Sequence, residues 1–344
     1  MNINQALKIV EAQVEFNASL PEDAKDSEYL VPMLWSLPGE GKTSGIKTLC
    51  DQKGWDFRSV IFAQFDPGEL GGFPVIDKEE EQYIRYAPFY MKNFDPEKIT
   101  ILLLDELPQA PVANLNIAAQ LVNERAIGEH RLPPNVFPVG AGNPMSARAG
   151  TNQMPSQLKD RFNHLEIETC AETFRAHALQ REMSPVITDF INNRPEWLQK
   201  FDPNQNASPS PRSWERVNSM LQLNLTEALQ RFSIEGQVGA GAVTDFFGHL
   251  QMFDKLPDVE KVVFANPTSA PIPDQPDILY ALCSNMAHKV TKKTAKALVT
   301  YIRRFDNAEF AAFCVRDTLA RNEELRTNPD IANWMVKEGK DLLL

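Results

Sequence analysis

Two glycines, a lysine and a hydroxyl in fixed order can cradle a triphosphate, and Gly39-Glu40-Gly41-Lys42-Thr43 sets them in that order. The glycines let backbone N–H groups converge on an anion in conformations that bulkier residues resist. Lys42 would reach the β- and γ-phosphates, and Thr43 would offer its hydroxyl to Mg²⁺. The complete pattern, G-x-x-x-x-G-K-[ST], opens with glycine, whereas this loop opens with Ser36. Serine is a mild replacement, provided the turn does not demand a positive φ. The candidate phosphate loop therefore comprises Ser36, Pro38, Gly39, Glu40, Gly41, Lys42, Thr43 and Ser44.

A second element, "ILLLDE", is an apolar strand that ends in Asp105-Glu106. Beside a phosphate loop, Asp105 can hold the magnesium shell and Glu106 can polarise the attacking water. Alone, such a run is equally an ordinary strand closing in a solvated acidic turn. A third, "VGAGNP", brings Asn143 to the end of the next strand, within reach of the water or the γ-phosphate. Asn before Pro is also a common way to begin a turn.

The surrounding elements must present these residues at one edge. Apolar positions Ile3, Leu7, Val10 and Val14 predict an opening helix. "YLVPMLW" predicts a buried strand in which Pro32 confines ladder pairing to one end or to an edge. "TSGIKTLCDQKG" predicts a helix stopping near Gly54, and "DFRSVIFAQF" and "ITILLLDEL" two further strands. "NLNIAAQLVNERAI" predicts a helix, and "VFPVGAGNP" a strand running into a loop. Strands alternating with helices imply a parallel sheet covered on both faces. After "RFNHLEIET" the periodicity becomes helical, with one short strand candidate, "KVVFAN". Pro-rich segments end at Arg212 and again before a charged helical stretch, "HKVTKKTAKALVTYIRRF". The expected domains are an α/β unit over 1–170, a helical lid over 171–264 and a helical C-terminal extension over 265–344.

With 344 residues, 43% hydrophobic and 24% charged, the chain has the composition of an ordinary globular protein. A formal net charge of −11 argues against a general nucleic-acid-coating role but leaves room for a narrow basic channel. Cys50, Cys170, Cys283 and Cys314 are scattered, which predicts reduced, buried thiols. His130, His164, His177, His249 and His288 form no ligand-spaced group, so no metal beyond Mg²⁺ is expected. No apolar run reaches membrane-spanning length and the N-terminus lacks a signal-peptide pattern, so a cytoplasmic protein is expected. No N-K-x-D motif for reading guanine follows the loop.

"SLPGEGKT", "ILLLDE" and "GAGNP", in this order, resemble Walker A, Walker B and sensor 1 of an AAA+ ATPase. The details are most similar to the MoxR-like branch with its dynein-related and McrB-type relatives. "FDPGELGGFPV" resembles the segment that this branch places after its second strand. "MPSQLKDRFNHLEI" resembles its arginine-finger segment and "SPRSWERV" its sensor 2. The resemblance covers roughly Tyr29 to Met220.

It implies ATP as the nucleotide and a homo-oligomeric, hexameric ring. Arg161 becomes the finger reaching a neighbour's ATP, and Arg212 the sensor of the γ-phosphate in its own subunit. A finger supplied in trans is worth about 10³–10⁵ in rate. The bland alternative for either arginine is a surface charge. Arg125, Arg131 and Arg148 are further candidates for intersubunit contacts or plain surface charges. Phe73, behind Gly71-Gly72, would be an aromatic tip near a central pore, or a ring packed under a loop. "DKEEEQYIRYAPFY" is expected to continue that insertion as a hairpin.

Two uses of the ATP follow. One is a MoxR-type, chaperone-like remodeller of a protein client, with a von Willebrand factor A domain protein as a partner. The other is a nucleic-acid motor or the NTPase subunit of a nuclease, as in McrB-type systems. The second draws on Lys289, Lys292, Lys293, Lys296, Arg303 and Arg304; at helical spacing the four lysines share a face, which could touch phosphates. A solvated helix face is the commoner origin of such a cluster. A scaffold that does not hydrolyse is disfavoured by the joint presence of Lys42, Asp105, Glu106 and Arg161.

Overall fold

The computed structural model describes residues 1–21, 23–77, 82–144, 154–253 and 256–339. The chain divides into two compact units. The first contains Met1–Thr173 with Phe201–Gln205 and Ser210–Arg212; the second contains Phe174–Lys200, Asn206–Pro209 and Ser213–Leu344. Most of the lid expected over 171–264 shares the second unit with the expected C-terminal extension, while 171–173, 201–205 and 210–212 belong to the first.

Helix α1 (Ile3–Ala18) opens the first unit under a capping box from Asn2 and Gln5. Strand β1 (Val31–Trp35) leads through the glycine loop into α2 (Lys42–Lys53), which stops at Gly54 in the left-handed conformation. Next come β2 (Asp56–Ile61), the short α3 (Pro67–Gly71), and β3 (Pro74–Asp77) paired antiparallel with β4 (Gln82–Arg85), the expected hairpin. Strand β5 (Thr100–Asp105), α4 (Val112–Glu124), a small β6–β7 pair (Ala126–Ile127 and His130–Arg131) and β8 (Val136–Gly142) follow. Helix α5 (Ser156–Arg161) runs directly into β9 (Phe162–Glu166).

The main sheet is parallel, in the order β2-β5-β8-β1-β9. Its inner strands β1, β5 and β8 read as near-continuous apolar runs because both faces are covered. In β5, Ile101 and Leu103 face the layer containing Ala6, Val10, Ile46 and Leu49 of α1 and α2. Leu102 and Leu104 face Leu115, Ala118 and Leu121 of α4. Pro32 lies inside the sheet rather than at its edge. The β1–β8 ladder begins at Met33, one residue beyond the proline, so the missing N–H falls at one end of that pairing. Strand β9, which periodicity alone leaves unassigned, closes the sheet beside β1. The parallel α/β core followed by helices is the expected fold class.

The second unit is helical. It takes in most of α6 (Ala171–Gln180), then α7 (Pro185–Asn193), most of α8 (Pro211–Met220), α9 (Glu227–Val238) and α10 (Ala240–Phe253). Four more follow: α11 (Pro276–Lys289), α12 (Ala295–Ile302), α13 (Ala308–Arg321) and α14 (Pro329–Lys337). Phe190, Trp214 and Phe246 meet with ring centroids 5.3–5.4 Å apart, an aromatic geometry that adds to simple burial. Buried Asp317 is held by Arg175, by Arg321 Nε at 3.1 Å and by the Ser284 hydroxyl at 3.2 Å.

Two expectations need correction here. "KVVFAN" is no strand: Val259–Phe264 winds as a π-helical turn capped by Asp258 and buries Val259 and Val263. The lysines expected on one helix are split between elements. Lys289 ends α11, Lys292 and Lys293 lie in the following turn, and Lys296 belongs to α12. Lys292 pairs with Glu324 at 2.6 Å, Arg303 pairs with Glu338 at 2.7 Å, and Arg304 donates to the carbonyls of Pro267 and Ala270.

Candidate nucleotide-binding site

The sheet order brings three strand ends together. Strand β8 lies between β1 and β5 with Trp35 beside Gly142 and Leu104 beside Gly140. Ser36, Asn143 and Asp105 therefore leave the same C-terminal edge, where open α/β sheets bind ligands. Gly39 (φ +91°) and Gly41 (φ +84°) take the left-handed conformations for which glycine is suited, and Gly41 caps α2. Ser36 is not among the positive-φ residues, so this position tolerates a side chain.

Lys42 is 8% exposed, and its ammonium donates to Ser36 O at 3.1 Å, Ser36 Oγ at 2.8 Å and Asn143 Oδ1 at 2.9 Å. Burial pushes Lys42 down to about 8; Asp105 and Glu40 oppose that shift and the charge of Arg212 reinforces it. Thr43 Oγ1 donates to Asp105 Oδ2 at 2.7 Å. Asp105 Oδ1 accepts the N–H of Glu106 at 2.9 Å. That bond supports Glu106 in a left-handed conformation, φ +52°, where a non-glycine residue is strained by about 1–2 kcal/mol. The Glu106 side chain stands exposed at the sheet edge.

Two partners of the loop have no local signal in the sequence. Thr169 donates to the Glu40 carboxylate, whose pKa is raised by burial against the pull of Thr169 and Lys42. Ser210 packs on Gly39, where a Cβ would stand 2.6 Å from its Oγ and 2.9 Å from its Cβ. Next to it, the Arg212 N–H donates to Gly39 O at 3.3 Å. Pro38 completes the turn, and Ser44 Oγ bonds back to Gly41 O at 3.1 Å.

The arginines fall in different settings. Arg161 is half-buried and donates to Asp26 O at 2.8 Å, while its buried Nε has no partner among the described residues. No bond joins it to Lys42, Thr43 or Asp105 among the described residues. Arg131 pairs with the Asp26 carboxylate at 2.7 Å. Arg125 is neither an intersubunit contact nor a surface charge. It is 4% exposed, bonds the carbonyls of Pro133 and Val136, and lies 4.0 Å from the Tyr29 ring centre. Arg148 lies outside the described residues. Phe73 is 55% exposed and its ring edge rests on Gly68, so it is not packed under a loop. Among the described residues no helix is long and apolar enough to cross a membrane.

No protein family and no curated protein matches the chain in sequence. Among solved structures, a candidate ATPase from Cytophaga hutchinsonii aligns over 97% of this chain and 94% of its own, at 12% identity and a TM-score of 0.34. RuvB of Thermotoga maritima, a Holliday junction branch migration motor, aligns over 83% of this chain and 82% of its own, at 12% identity and a TM-score of 0.42. Likeness at this level carries no functional argument, which rests on the site itself.

Proposed function

We propose that this chain binds ATP with Mg²⁺ at the loop Ser36–Ser44, hydrolyses it, and couples hydrolysis to remodelling of a protein client in the manner of MoxR-type AAA+ rings. The observation that carries the proposal is the placing of the Lys42 ammonium, the Thr43–Asp105 pair and Asn143 along one edge of a parallel sheet. A triphosphate needs such an edge: backbone N–H groups of a glycine loop, a helix N-terminus behind them, and one cation.

Thr43 Oγ1 and Asp105 Oδ2 supply two hard oxygen donors. That suits Mg²⁺, which takes few protein ligands and fills its shell with phosphate and water. When bound, the ion neutralises developing charge on the phosphate oxygens. Lys42 binds the phosphates and Asn143 orients the attacking water. Glu106, whose main-chain N–H is tied to Asp105, accepts a hydrogen bond from that water and polarises it towards the γ-phosphorus. The water oxygen bonds to the γ-phosphorus as the P–O bond to the β-phosphate breaks, one water proton stays on the new inorganic phosphate and the other passes to solvent, and ADP and phosphate leave. Arg161 acts on the neighbour's nucleotide and Arg212 on its own.

A protein client fits the net charge of −11 and the dispersal of the C-terminal lysines into ion pairs and turns. A von Willebrand factor A domain protein is the proposed partner class, and a hexameric ring in the cytoplasm the proposed setting. The test is Glu106→Gln in the full chain. We expect near-native ATP binding with most turnover lost; unimpaired hydrolysis would rule out Glu106 as the residue that polarises water.

A further inference from the structure

Ser36 departs from the loop pattern, and its surroundings give the departure a use. The side chain is 3% exposed and sits against the 8% exposed Lys42. Its hydroxyl donates to Leu37 O at 3.0 Å, which turns the oxygen's lone pairs towards the ammonium 2.8 Å away. A lysine ammonium has three donors. Here they meet Ser36 O, Ser36 Oγ and Asn143 Oδ1 at 3.1, 2.8 and 2.9 Å. Two of the three acceptors belong to one residue, and the shortest bond goes to the hydroxyl that glycine would lack.

We propose that Ser36 is a positioning residue for the phosphate site: its hydroxyl fixes where the Lys42 ammonium stands, so the serine is required and does not merely replace glycine. The inference rests on the nucleotide reading of the loop and adds to it a residue that acts through Lys42. A buried ammonium needs every donor satisfied. With its backbone carbonyl and hydroxyl together, Ser36 grips Nζ from one side. An arriving phosphate oxygen then shares or displaces the bond to Asn143, the one acceptor outside the loop, just past the end of β8. Without the hydroxyl, Nζ would keep a single fixed acceptor on the loop and spread over several positions. Glycine at this point would also loosen the turn after β1.

The test is Mg-ATP affinity of the full chain for wild type, Ser36→Ala, Ser36→Gly, Lys42→Ala and the double variant Ser36→Ala/Lys42→Ala, with thermal melting alongside. We expect Ser36→Ala and Ser36→Gly each to weaken binding about tenfold, as loss of a hydrogen bond to a charged group does. In the Lys42→Ala background, Ser36→Ala should add nothing, because the two residues act as one unit. Should one serine variant fail to fold, the other still decides. Wild-type affinity in the folded serine variants would overturn the inference, as would an equal loss in both lysine backgrounds, which marks a structural role. Binding undiminished in Lys42→Ala would instead sink the nucleotide reading, and the inference with it.

Discussion

Thr43 Oγ1 donates to Asp105 Oδ2 at 2.7 Å across 62 residues of chain, joining the first turn of α2 to the last residue of β5. Neither residue means much alone, since threonines near helix starts and acidic strand ends are common. Joined beside a buried lysine and two positive-φ glycines, they form a donor pair suited to a cation that accompanies phosphate.

The packing of Ser210 on Gly39 leads to a stability prediction with an internal control. Gly54→Ala and Gly39→Ala both force a side chain into positive φ, but only at Gly39 would the new Cβ meet another group, 2.6 Å from Ser210 Oγ. Gly54→Ala should cost about 1 kcal/mol. Gly39→Ala should cost more and also impair nucleotide binding. Denaturant unfolding of both variants measures this; equal losses would show that the contact with Ser210 is easily relieved.

Arg161 bonds to the carbonyl of Asp26 in the same chain, so the proposed action on a neighbouring copy requires that bond to be exchanged. Arg161→Ala should bind ATP yet hydrolyse it slowly. Mixing it with Glu106→Gln subunits should recover part of the activity, because some interfaces then pair an intact Glu106 with an intact Arg161. Assay of mixtures across a range of ratios decides; no recovery in any mixture of exchanging subunits would remove the trans role.

The lysine positions bear on the substrate. With Lys289 on α11, Lys296 on α12 and Lys292 engaged with Glu324, no single basic helix face is built from them. ATP hydrolysis should therefore be indifferent to single- and double-stranded DNA. Stimulation by DNA that fades steeply as salt rises would instead indicate phosphate contacts and favour a nucleic-acid motor.

The four thiols should react unequally. Burial pushes Cys50 up to about 12 and raises Cys283 well above the usual thiol range, and Cys314 is fully buried. Cys170 is half-buried, with its thiol donating to Glu172 at 2.9 Å. Thiolate is the reacting form, so a raised pKa suppresses reaction at any pH below it. At pH 8 the native protein should expose one reactive thiol, Cys170, with the other three appearing on unfolding. Equally fast labelling of Cys50 would contradict the described core.

What could be read from sequence was local. Lys42, Thr43, Asp105 and Asn143 carry their meaning within short motifs, and the alternation of apolar strands and helices determines that those motifs share one sheet edge. Strand β9 was less legible because "FNHLE" has exposed and buried positions at the sheet's edge and lacks a long apolar run. Val259–Phe264 has the composition of a strand but winds helically, because Asp258 caps it and two valines on one side find the core. Arg125 has the charge of a surface residue, yet an aromatic ring and two carbonyls hold it inside. Thr169 and Ser210 reach the loop from distant chain positions, and no spacing rule relates such contacts.

The central claim is that Lys42 and its neighbours hold the phosphates of ATP. Calorimetric titration of Mg-ATP into the full chain and into Lys42→Ala tests it most directly. We predict saturable, single-site binding to the wild type and a loss on the order of 10- to 100-fold in the variant, the scale of one or two hydrogen bonds to a charged group. No binding to the wild type, or equal binding to both proteins, would contradict the account.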